Sequence, residues 1–396
     1  MTADLSVSLF DNELFQNILP FWMNNAFDKV SGGFYGGITN NLVIHNKIPR
    51  TAVSCTRFLW TFSHAYLVTG NEDFLTIAHS TFDYLMKVFW DDTYGGLFWS
   101  VDQSGQPMRD RKHSYAQAFG IYGLSEYCKA TNRTDSLDRA IELFNLVETH
   151  AFDPNFGGYF EGNARDWSHL SDSRLGESDL NCQKSMNTMI HMLEAYTNLL
   201  QISKRTSIKD QLINLLHIFL TRMISPTGHF FMFFDEDWTP LSNHMSHGHD
   251  IEGSWLMMEA AEIIGDRELK NSTINSALHL ANAVLQDGIR FDKAIIHEAS
   301  PEEIINPNIE WWPQAEAVVG FYNAYQMTNE KKFLTASTNS WEFINTYLVD
   351  RTYGGWIKRL LPDRSIDDKS LKAGPWEGPY HESRMCFEMI ERLNKQ

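Results

Sequence analysis

The sequence contains one short pattern six times at nearly constant spacing. Each copy begins with glycine and continues with aromatic residues, and successive copies lie 63, 62, 71, 60 and 66 residues apart. Glycine tolerates positive φ and aromatic residues favour strands, so each copy is typical of a turn that runs into a strand. A repeat of this length indicates one supersecondary unit stacked several times. The copies are Gly32-Gly-Phe-Tyr-Gly, Gly95-Gly-Leu-Phe-Trp, Gly157-Gly-Tyr-Phe-Glu, Gly228-His-Phe-Phe, Gly288-Ile-Arg-Phe and Gly354-Gly-Trp.

Two segments with helical periodicity lie between successive copies of this pattern. Polar runs at 69–73 and 131–135 join the two members of a pair, and an Asn or Asp in such a run can cap the second helix. The sequence therefore predicts helix pairs separated by short hairpins. The clearest pairs are 57–69 with 71–88, 115–131 with 134–149, 184–203 with 207–223, and 313–328 with 330–348.

Six such units without a Pro/Ser-rich linker indicate one domain over residues 1–396. The fold we expect is all-α, an (α/α)6 barrel with short β-hairpins between the helix pairs. The first helix of each pair should line the inside, because first helices are the richer in apolar and small residues. Segments 5–25 and 381–394 are expected to pair and close the sixth unit. A solenoid that does not close is the alternative architecture.

The charge balance bears on the kind of partner. The 396 residues include 33 Lys and Arg against 50 Asp and Glu, which gives a formal net charge of −17. Nucleic acids and anionic membranes are bound through clustered basic residues, so this balance argues against both. We expect a small neutral ligand instead. A closed barrel leaves no helix face for a partner to cover, which favours a monomer.

The cysteines and the N-terminus indicate the compartment. The four cysteines lie far apart without a Cys-x-x-Cys pair, so neither a zinc ribbon nor a redox dithiol is indicated. The N-terminal segment is acidic where a signal peptide is basic, and no run approaches the roughly 20 apolar residues of a membrane span. We therefore expect free thiols in a cytoplasmic protein. The cysteines are Cys55, Cys128, Cys182 and Cys386.

The first helices of the pairs also carry polar side chains that an apolar ring does not need for packing. His191, His249 and His381 occupy equivalent places in three units, so we expect them to face one central cavity. Asn187 lies on the same helical face as His191. Further candidates are Arg57, His113, Tyr115, Gln117, Lys184, Glu194, Glu252, Trp311, Trp312, Glu316, Trp376 and Arg384.

Several candidates also have a purely structural interpretation. Glu194 and Arg384 are expected to orient other residues or to form salt bridges, and His113 can cap its helix. Most Trp and Phe in a chain this aromatic belong to the core. The phased histidines are therefore the stronger indication of function.

A metal site is the competing interpretation of His244, His247 and His249. The segment has no His-Glu-x-x-His and no carboxylate–histidine set with clear spacing, and only His249 opens a helix on the expected inner face. We therefore expect no catalytic metal. The sequence also lacks a P-loop, a dinucleotide-binding glycine motif and a Gly-x-Ser-x-Gly elbow, so phosphate, dinucleotide and serine-hydrolase chemistries have no support.

Four segments together resemble the cellobiose 2-epimerases. This group lies within the N-acylglucosamine 2-epimerase superfamily, which also holds mannose 2-epimerases and mannose isomerases. The resemblance runs from Gly32 to the C-terminus and implies an (α/α)6 barrel. The segments are Ser246-His-Gly-His-Asp-Ile-Glu-Gly-Ser-Trp, Lys184-Ser-Met-Asn-Thr-Met-Ile-His-Met-Leu-Glu-Ala-Tyr, Trp311-Trp-Pro-Gln-Ala-Glu-Ala-Val-Val-Gly-Phe and Gly374-Pro-Trp-Glu-Gly-Pro-Tyr-His.

The resemblance implies that the chain inverts C2 of a reducing-end aldose, without a cofactor, through an enediolate. His249 and His381 would then remove and return the C2 proton on opposite faces, since an imidazole serves as acid or base near neutrality. Arg57 would stabilise the enediolate oxygen. His191 with Asn187 would assist ring opening. The sugar-binding residues implied are Tyr115, Glu252, Trp312, Trp376 and Glu316, with Glu252 orienting His249 or binding a hydroxyl.

The sequence gives a weaker indication of whether the substrate carries a second sugar. Glu377-Gly378 and Met189 depart from the family pattern at the rim that would meet it. A monosaccharide epimerase acting on mannose and glucose therefore remains an alternative. An aldose–ketose isomerase interconverting mannose and fructose is another, since it protonates the same enediolate at C1.

Two alternatives come from other classes. A glycoside hydrolase would need two carboxylates flanking the scissile bond, and Glu252 with Glu316 are the candidates. A non-catalytic sugar-binding protein would not need the histidine pair.

Overall fold

Helices alternate between an inner and an outer ring around one axis. The computed structural model describes residues 5–176 and 179–395, so residues 1–4, 177–178 and 396 lie outside the described residues. The odd-numbered helices from α3 onward form the inner ring. In chain order the helices are α1 (Val7–Asn12), α2 (Leu19–Phe21), α3 (Ala52–Thr69), α4 (Glu72–Tyr84), α5 (Ser114–Thr131), α6 (Thr134–His150), α7 (Met186–Ser203), α8 (Thr206–Ile218), α9 (His247–Ile264), α10 (Arg267–Asp287), α11 (Trp311–Thr328), α12 (Lys331–Phe343) and α13 (Tyr380–Asn394).

The inner ring closes on itself. Each inner helix contacts the next one along the chain, and α13 returns to contact α3. The N-terminal α1 packs against α13, so the two ends of the chain together supply the sixth unit. The expected (α/α)6 barrel is thus confirmed, and the open solenoid is excluded.

Several outer helices end in a π-helical turn. The periodic segments 71–88, 207–223 and 330–348 each consist of an α-helix followed by a π turn, at Leu85–Phe89, Phe219–Met223 and Ile344–Leu348. Two further π segments, Glu13–Ile18 and Trp22–Ala26, follow α1 and α2. Side-chain periodicity does not distinguish a π turn from an α-helical turn, because the apolar face of the helix stays on the same side in both.

The inner helices approach each other closely because small residues lie at their crossings. A Cβ atom on Gly123 of α5 would lie 2.6 Å from the Thr56 carbonyl oxygen of α3. A Cβ on Gly320 of α11 would lie 2.6 Å from the Ile251 oxygen of α9. Only glycine permits these backbone contacts. Apolar as the inner ring is, no described helix has the length and hydropathy needed to cross a membrane.

Short antiparallel strands connect the units. The strand before an inner helix pairs with a strand of the following hairpin, and β16 pairs with β3 to join the two ends of the chain. The strands are β1 (Phe27–Asp28), β2 (Gly33–Phe34), β3 (Ile38–Thr39), β4 (Arg50–Thr51), β5 (Ser100–Val101), β6 (Pro107–Arg109), β7 (Lys112–His113), β8 (Gly162–Asn163), β9 (Lys184–Ser185), β10 (Phe233–Phe234), β11 (Met245–Ser246), β12 (Glu298–Ala299), β13 (Ile304–Asn306), β14 (Ile309–Glu310), β15 (Arg359–Leu360) and β16 (Leu371–Ala373).

A buried ion pair recurs at four of these hairpins, and we call these the hairpin ion pairs. In each, an aspartate that opens a glycine turn pairs with a basic residue on the strand preceding an inner helix. The Lys112 ammonium lies 3.0 Å from a carboxylate oxygen of Asp91, and both side chains are buried. Each pair holds a hairpin against the start of an inner helix. The four pairs are Asp28–Arg50, Asp91–Lys112, Asp153–Lys184 and Asp350–Lys372.

Candidate active site

A cavity of about 350 Å³ opens at the end of the barrel where the inner helices begin. Residues from all six inner helices line it, most of them from a first or second helical turn. Because the N-terminal end of a helix carries partial positive charge, the ring directs positive potential into the cavity. The predicted site residues that line it are Arg57, Tyr115, Asn187, His191, His249, Glu252, Trp312, Trp376 and His381.

His249 lies on the first turn of α9 and is oriented by Ser246. The Ser246 Oγ lies 2.8 Å from Nδ1 of His249, whose ring packs against Trp312 at a centroid distance of 4.7 Å. Burial within the barrel, together with the neighbouring His191, holds the pKa of His249 well below its usual range. The imidazole is therefore neutral at pH 7.

Glu252 does not contact His249, contrary to one of the two roles expected for it. Its Oε1 pairs with the guanidinium of Arg384, while Oε2 is buried without a hydrogen bond to any described residue. Burial and the nearby Glu316 raise the pKa of Glu252 to about 7. Oε2 thus remains available to a hydroxyl group in the cavity.

His381, on the first turn of α13, is backed by Glu316. Its Nδ1 donates to Oε1 of Glu316 across 2.7 Å, which leaves Nε2 as the nitrogen that can exchange a proton. The ring lies 5.5 Å from Trp312, so one indole contacts both expected catalytic histidines. Burial and the charges of Arg57 and Arg384 hold the pKa of His381 well below its usual range.

Glu316 therefore lies behind His381, and it is not among the residues that line the cavity. The expectation that it binds substrate is not supported by this position. A helical period places Glu316 on the inner face of α11, but it cannot show that His381 stands between Glu316 and the cavity.

One buried arginine connects the carboxylates behind the site. Arg384 pairs with Glu194, Glu252 and Glu316, and its contact with Glu316 is 2.7 Å. Glu194 also accepts from Nδ1 of His191 at 3.0 Å. Although burial alone raises it, the pKa of Glu194 falls to about 2 because of Arg384 and His191. The expected orienting roles of Glu194 and Arg384 agree with these contacts.

Arg57 is held at the cavity wall by aromatic side chains. Its guanidinium donates to the Tyr115 hydroxyl at 2.9 Å and lies 4.3 Å from the ring centre of Phe119. Burial raises the pKa of Tyr115 to about 12, so its hydroxyl stays protonated. The arginine Nε is buried without a hydrogen bond to a described residue. A fixed cation with an unused donor suits an oxyanion that develops during a reaction.

The mouth of the cavity is built by loops and hairpins. Trp376, which precedes α13, lies 6.0 Å from Tyr115, and Glu377 beside it also lines the cavity. Met189 is fully buried and does not line it. Sequence analysis missed the other hairpin residues at this mouth, because two- and three-residue strands have no periodicity. These residues are Asp179, His297, Glu298, Glu310 and Arg359.

Three polar residues that we expected in the cavity have other partners. The side chain of His113 accepts from the Tyr115 backbone N–H and caps α5, as one of its two interpretations predicted. Gln117 exchanges hydrogen bonds with the backbone of Leu97. Lys184 belongs to a hairpin ion pair with Asp153. Their expected place in the cavity was wrong, because a polar residue at the start of an inner helix can bond to the backbone or to a neighbouring hairpin instead.

The bond between Ser246 and His249 leads to a prediction. We expect Ser246→Ala to lower kcat roughly tenfold with little change in KM, since one hydrogen bond contributes about 0.5–1.5 kcal/mol to holding the ring. Steady-state kinetics on the substrate proposed below would measure this. Ser254→Ala is the matched control. Its buried hydroxyl lies on α9, the helix that carries His249, and among described partners it bonds only to the Ile251 carbonyl. An unchanged kcat in Ser246→Ala would contradict the orienting role.

Comparison with known proteins agrees with this geometry. The family model for N-acylglucosamine 2-epimerase (GlcNAc 2-epimerase) matches residues 33–383. A cellobiose 2-epimerase of Bacteroides fragilis is 39% identical over 96% of this chain and 97% of its own. The solved cellobiose 2-epimerase of Bacillus thermoamylovorans superposes with a TM-score of 0.92 at 37% identity, covering 98% of this chain and 99% of that one. A D-mannose isomerase of Marinomonas mediterranea is 22% identical over 98% of this chain and 100% of its own.

A closed helical barrel whose cavity holds paired histidines defines, with these relatives, a carbohydrate epimerase or isomerase. The chain belongs to the N-acylglucosamine 2-epimerase family. Within that class it is a sugar 2-epimerase.

Proposed function

We propose that the chain inverts C2 of the reducing-end glucose of cellobiose and so forms glucosyl-mannose. The observation that carries this proposal is the pair His249 and His381, both neutral and both in contact with Trp312, in a cavity that Arg57 also lines. The disaccharide substrate is supported by relatives named cellobiose 2-epimerase at 35–39% identity. The cavity of about 350 Å³ lies within the roughly 300–1,000 Å³ of ligand sites.

The reaction begins with opening of the sugar ring, which needs a proton delivered to O5. His191 serves as this donor, because it lines the cavity and its ring is held in place by Glu194 at 3.0 Å. Asn187 lines the cavity one helical turn away and can bond O1 or O5. Trp376 and Trp312 offer flat apolar surfaces for the sugar rings.

Inversion at C2 proceeds through an enediolate. One histidine removes the C2 proton, which the adjacent aldehyde has made acidic, and the other returns a proton to the opposite face. Arg57 and the surrounding helix N-termini stabilise the developing negative charge. The chemistry uses no cofactor and no metal ion.

The protonation states impose a further condition. Inversion needs one neutral and one protonated imidazole, whereas burial keeps both His249 and His381 neutral in the empty site. We infer that the histidine that later protonates C2 takes its proton from the O1 hydroxyl as the ring opens. Both His249 and His381 then begin the cycle neutral, and ring closure returns the protons that were taken from the sugar.

This condition predicts the pH profile. The pKa of each catalytic histidine is lowered, so the neutral form persists to lower pH than for a free imidazole. We expect kcat/KM to stay level from about pH 8 to 6.5 and to fall only below that. Initial rates with cellobiose across this range would measure it. An acidic limb centred at or above about pH 6.5 would contradict the lowered values.

An aldose–ketose isomerase is the second candidate, favoured by the D-mannose isomerase among the relatives. It would protonate the same enediolate at C1 and release the ketose. A monosaccharide epimerase acting on mannose is a further candidate, because Glu377, a departure from the family pattern, lines the mouth that a second sugar would occupy. A hydrolase has less support, since Glu252 and Glu316 share Arg384 and do not flank an open space.

We propose one catalytic domain over residues 1–396 that works as a monomer in the cytoplasm. The four cysteines are free thiols, which fits a reducing compartment. The inner ring is closed and covered by the outer helices, which fits a monomer.

Proton NMR in D2O would test the proposal, with cellobiose and mannose as separate substrates and a chelator present. Glucosyl-mannose carrying deuterium at C2 supports the disaccharide epimerase. Reaction of mannose alone would contradict the substrate, with glucose indicating a monosaccharide epimerase and fructose an isomerase. No reaction with either sugar, both with and without the chelator, would contradict the class of reaction.

A further inference from the structure

A second cluster of histidines lies outside the sugar cavity, against the other side of the first turn of α9. His229 belongs to the fourth glycine turn, His247 is the first residue of α9, and Asp250 follows one turn later. Their side chains are at most 2% exposed. One ligand atom from each lies within 4.8 Å of the others. None of the three lines the sugar cavity, although His249 stands between them in sequence.

One nitrogen in this cluster has no hydrogen bond. Nδ1 of His247 is buried and finds no hydrogen-bond partner among the described residues, although Oδ2 of Asp250 lies 3.9 Å away. Leaving a buried polar atom unpaired costs about 1–3 kcal/mol, so a ligand at this nitrogen would stabilise the fold. Gly288 packs close to the ring, since a Cβ there would lie 3.0 Å from Cγ of His247. The His247 ring is therefore held against His229 and Asp250.

The spacing of the three ligand atoms suits a tetrahedral ion. Nδ1 of His229 lies 2.8 Å from Oδ2 of Asp250, and Nδ1 of His247 lies 3.9 Å from the same oxygen. Ligands about 2.0–2.1 Å from a zinc ion in tetrahedral geometry are separated by roughly 3.3 Å, between these two values. The other oxygen of Asp250 accepts from the Phe230 N–H at 2.8 Å, which fixes the carboxylate as an outer-shell bond does at metal sites.

A route by which an ion could reach the cluster from solvent is also present. Asp287, at the end of α10, is 65% exposed, and its Oδ2 lies 3.5 Å from Nε2 of His229. It brings a second carboxylate to the outer edge of the cluster. Asp287 contacts the far nitrogen of His229 and so serves as an outer-shell partner, which leaves two imidazoles and one carboxylate as the ligands. Late first-row divalent ions prefer this donor set over Mg²⁺ or Ca²⁺.

The fold indicates why a cation belongs here. Four hairpins are held to an inner helix by a hairpin ion pair, with a Lys or Arg side chain as the cation. In the fourth unit the turn opens with Ser225 instead of aspartate, and the strand before α9 carries Met245 at the basic position. The histidine cluster occupies the corresponding junction without a lysine or arginine.

We propose that His229, His247 and Asp250 bind one late first-row divalent metal ion, of which Zn²⁺ is the expected occupant. The ion joins the fourth hairpin to the start of α9 and so steadies the helix turn that carries His249. It does not touch the sugar. The site is thus structural and independent of the epimerase assignment.

Cobalt titration of the full chain would test the site, because Co²⁺ in a low-coordinate nitrogen and oxygen site has visible absorption bands. The chain is first treated with a chelator and dialysed, and then Co²⁺ is added. We expect one equivalent to bind with visible bands that Zn²⁺ abolishes. We also expect Zn²⁺ at about 100-fold above its Kd to raise Tm by about 3 °C.

Three variants locate the ion. His247→Gln is expected to lose the bands and the rise in Tm while keeping the buried volume. His244→Gln is the matched control, since this nearby histidine contacts Phe233 and Glu298 instead. His381→Gln removes the other described cluster with this spacing, made with Glu252 and Glu316. Both of these variants should bind Co²⁺ as the parent chain does.

Two results would overturn the proposal. One is a parent chain that shows no visible bands with excess Co²⁺ and no change in Tm with Zn²⁺; the cluster would then be hydrogen-bonded only. The other is loss of the bands in His381→Gln with retention in His247→Gln, which would place the ion in the sugar cavity. Neither readout depends on turnover, so either result leaves the proposed function to its own test.

Discussion

Replacing His249 or His381 with alanine is expected to lower kcat for cellobiose epimerisation by about 10²–10⁴-fold, the usual contribution of a positioned acid or base. Each imidazole packs against Trp312 in the cavity and can carry the C2 proton. The fold should survive, because each ring borders the cavity and its removal leaves a space that water can fill. Chromatographic separation of the two epimers would measure the rate.

Isotope exchange in D2O distinguishes two bases from one. With His249 removed, His381 can still exchange the C2 proton of the epimer that faces it, without inversion, and the converse holds for the other variant. We therefore expect each variant to incorporate deuterium into a different epimer. His217→Ala, an exposed histidine on α8, is the control and should behave as the parent chain. Exchange of the same epimer by both variants, or near-full turnover by either, would contradict the pair.

Replacing Arg384 with methionine is expected to lower the free energy of unfolding by about 3–5 kcal/mol at pH 7. The reason is that Glu194, Glu252 and Glu316 would remain buried around a neutral side chain. Urea denaturation followed by circular dichroism would measure the loss. Arg392→Met on the same helix is the control, because its pair with Glu388 is near the surface, and it should cost less than about 1 kcal/mol.

The pH dependence of this loss has a definite sign. In the parent chain the pKa of Glu194 is lowered to about 2 by Arg384 and His191 despite its burial, so its ionised form contributes stability above the ordinary glutamate pKa of 4.5. That stability is lost as pH falls toward 2. The difference between Arg384→Met and the parent should therefore be largest above about pH 5 and should shrink in acid. A difference that grows with acidification would contradict the ionised carboxylate.

The sequence predicted the barrel well because its signals were periodic. Six glycine turns and the apolar inner helices led to a closed ring, and the phased histidines led to the cavity that they line. Helical spacing can place a residue on the inner face, but it does not show depth. Glu316 was therefore expected beside the sugar although it stands behind His381.

The hairpin ion pairs escaped sequence analysis for a different reason. Their contacts join residues far apart in the chain, as between Asp153 and Lys184, and no local pattern marks them. The lysine was consequently expected in the cavity. Ser246 was missed as the partner of His249 because a serine before a helix is ordinarily a cap.

The closure of the ring by α13 also determines when the protein becomes an enzyme during its synthesis. A nascent chain that has left the ribosome as far as α12 possesses five inner helices, His249 and Arg57, yet it lacks both His381 and the arginine that neutralises the buried glutamates. Burial of the three carboxylates without that counter-charge would be costly. Residues 380–394 bring the closing helix, the counter-charge and the second histidine at once, so folding and activity should arrive in a single late step.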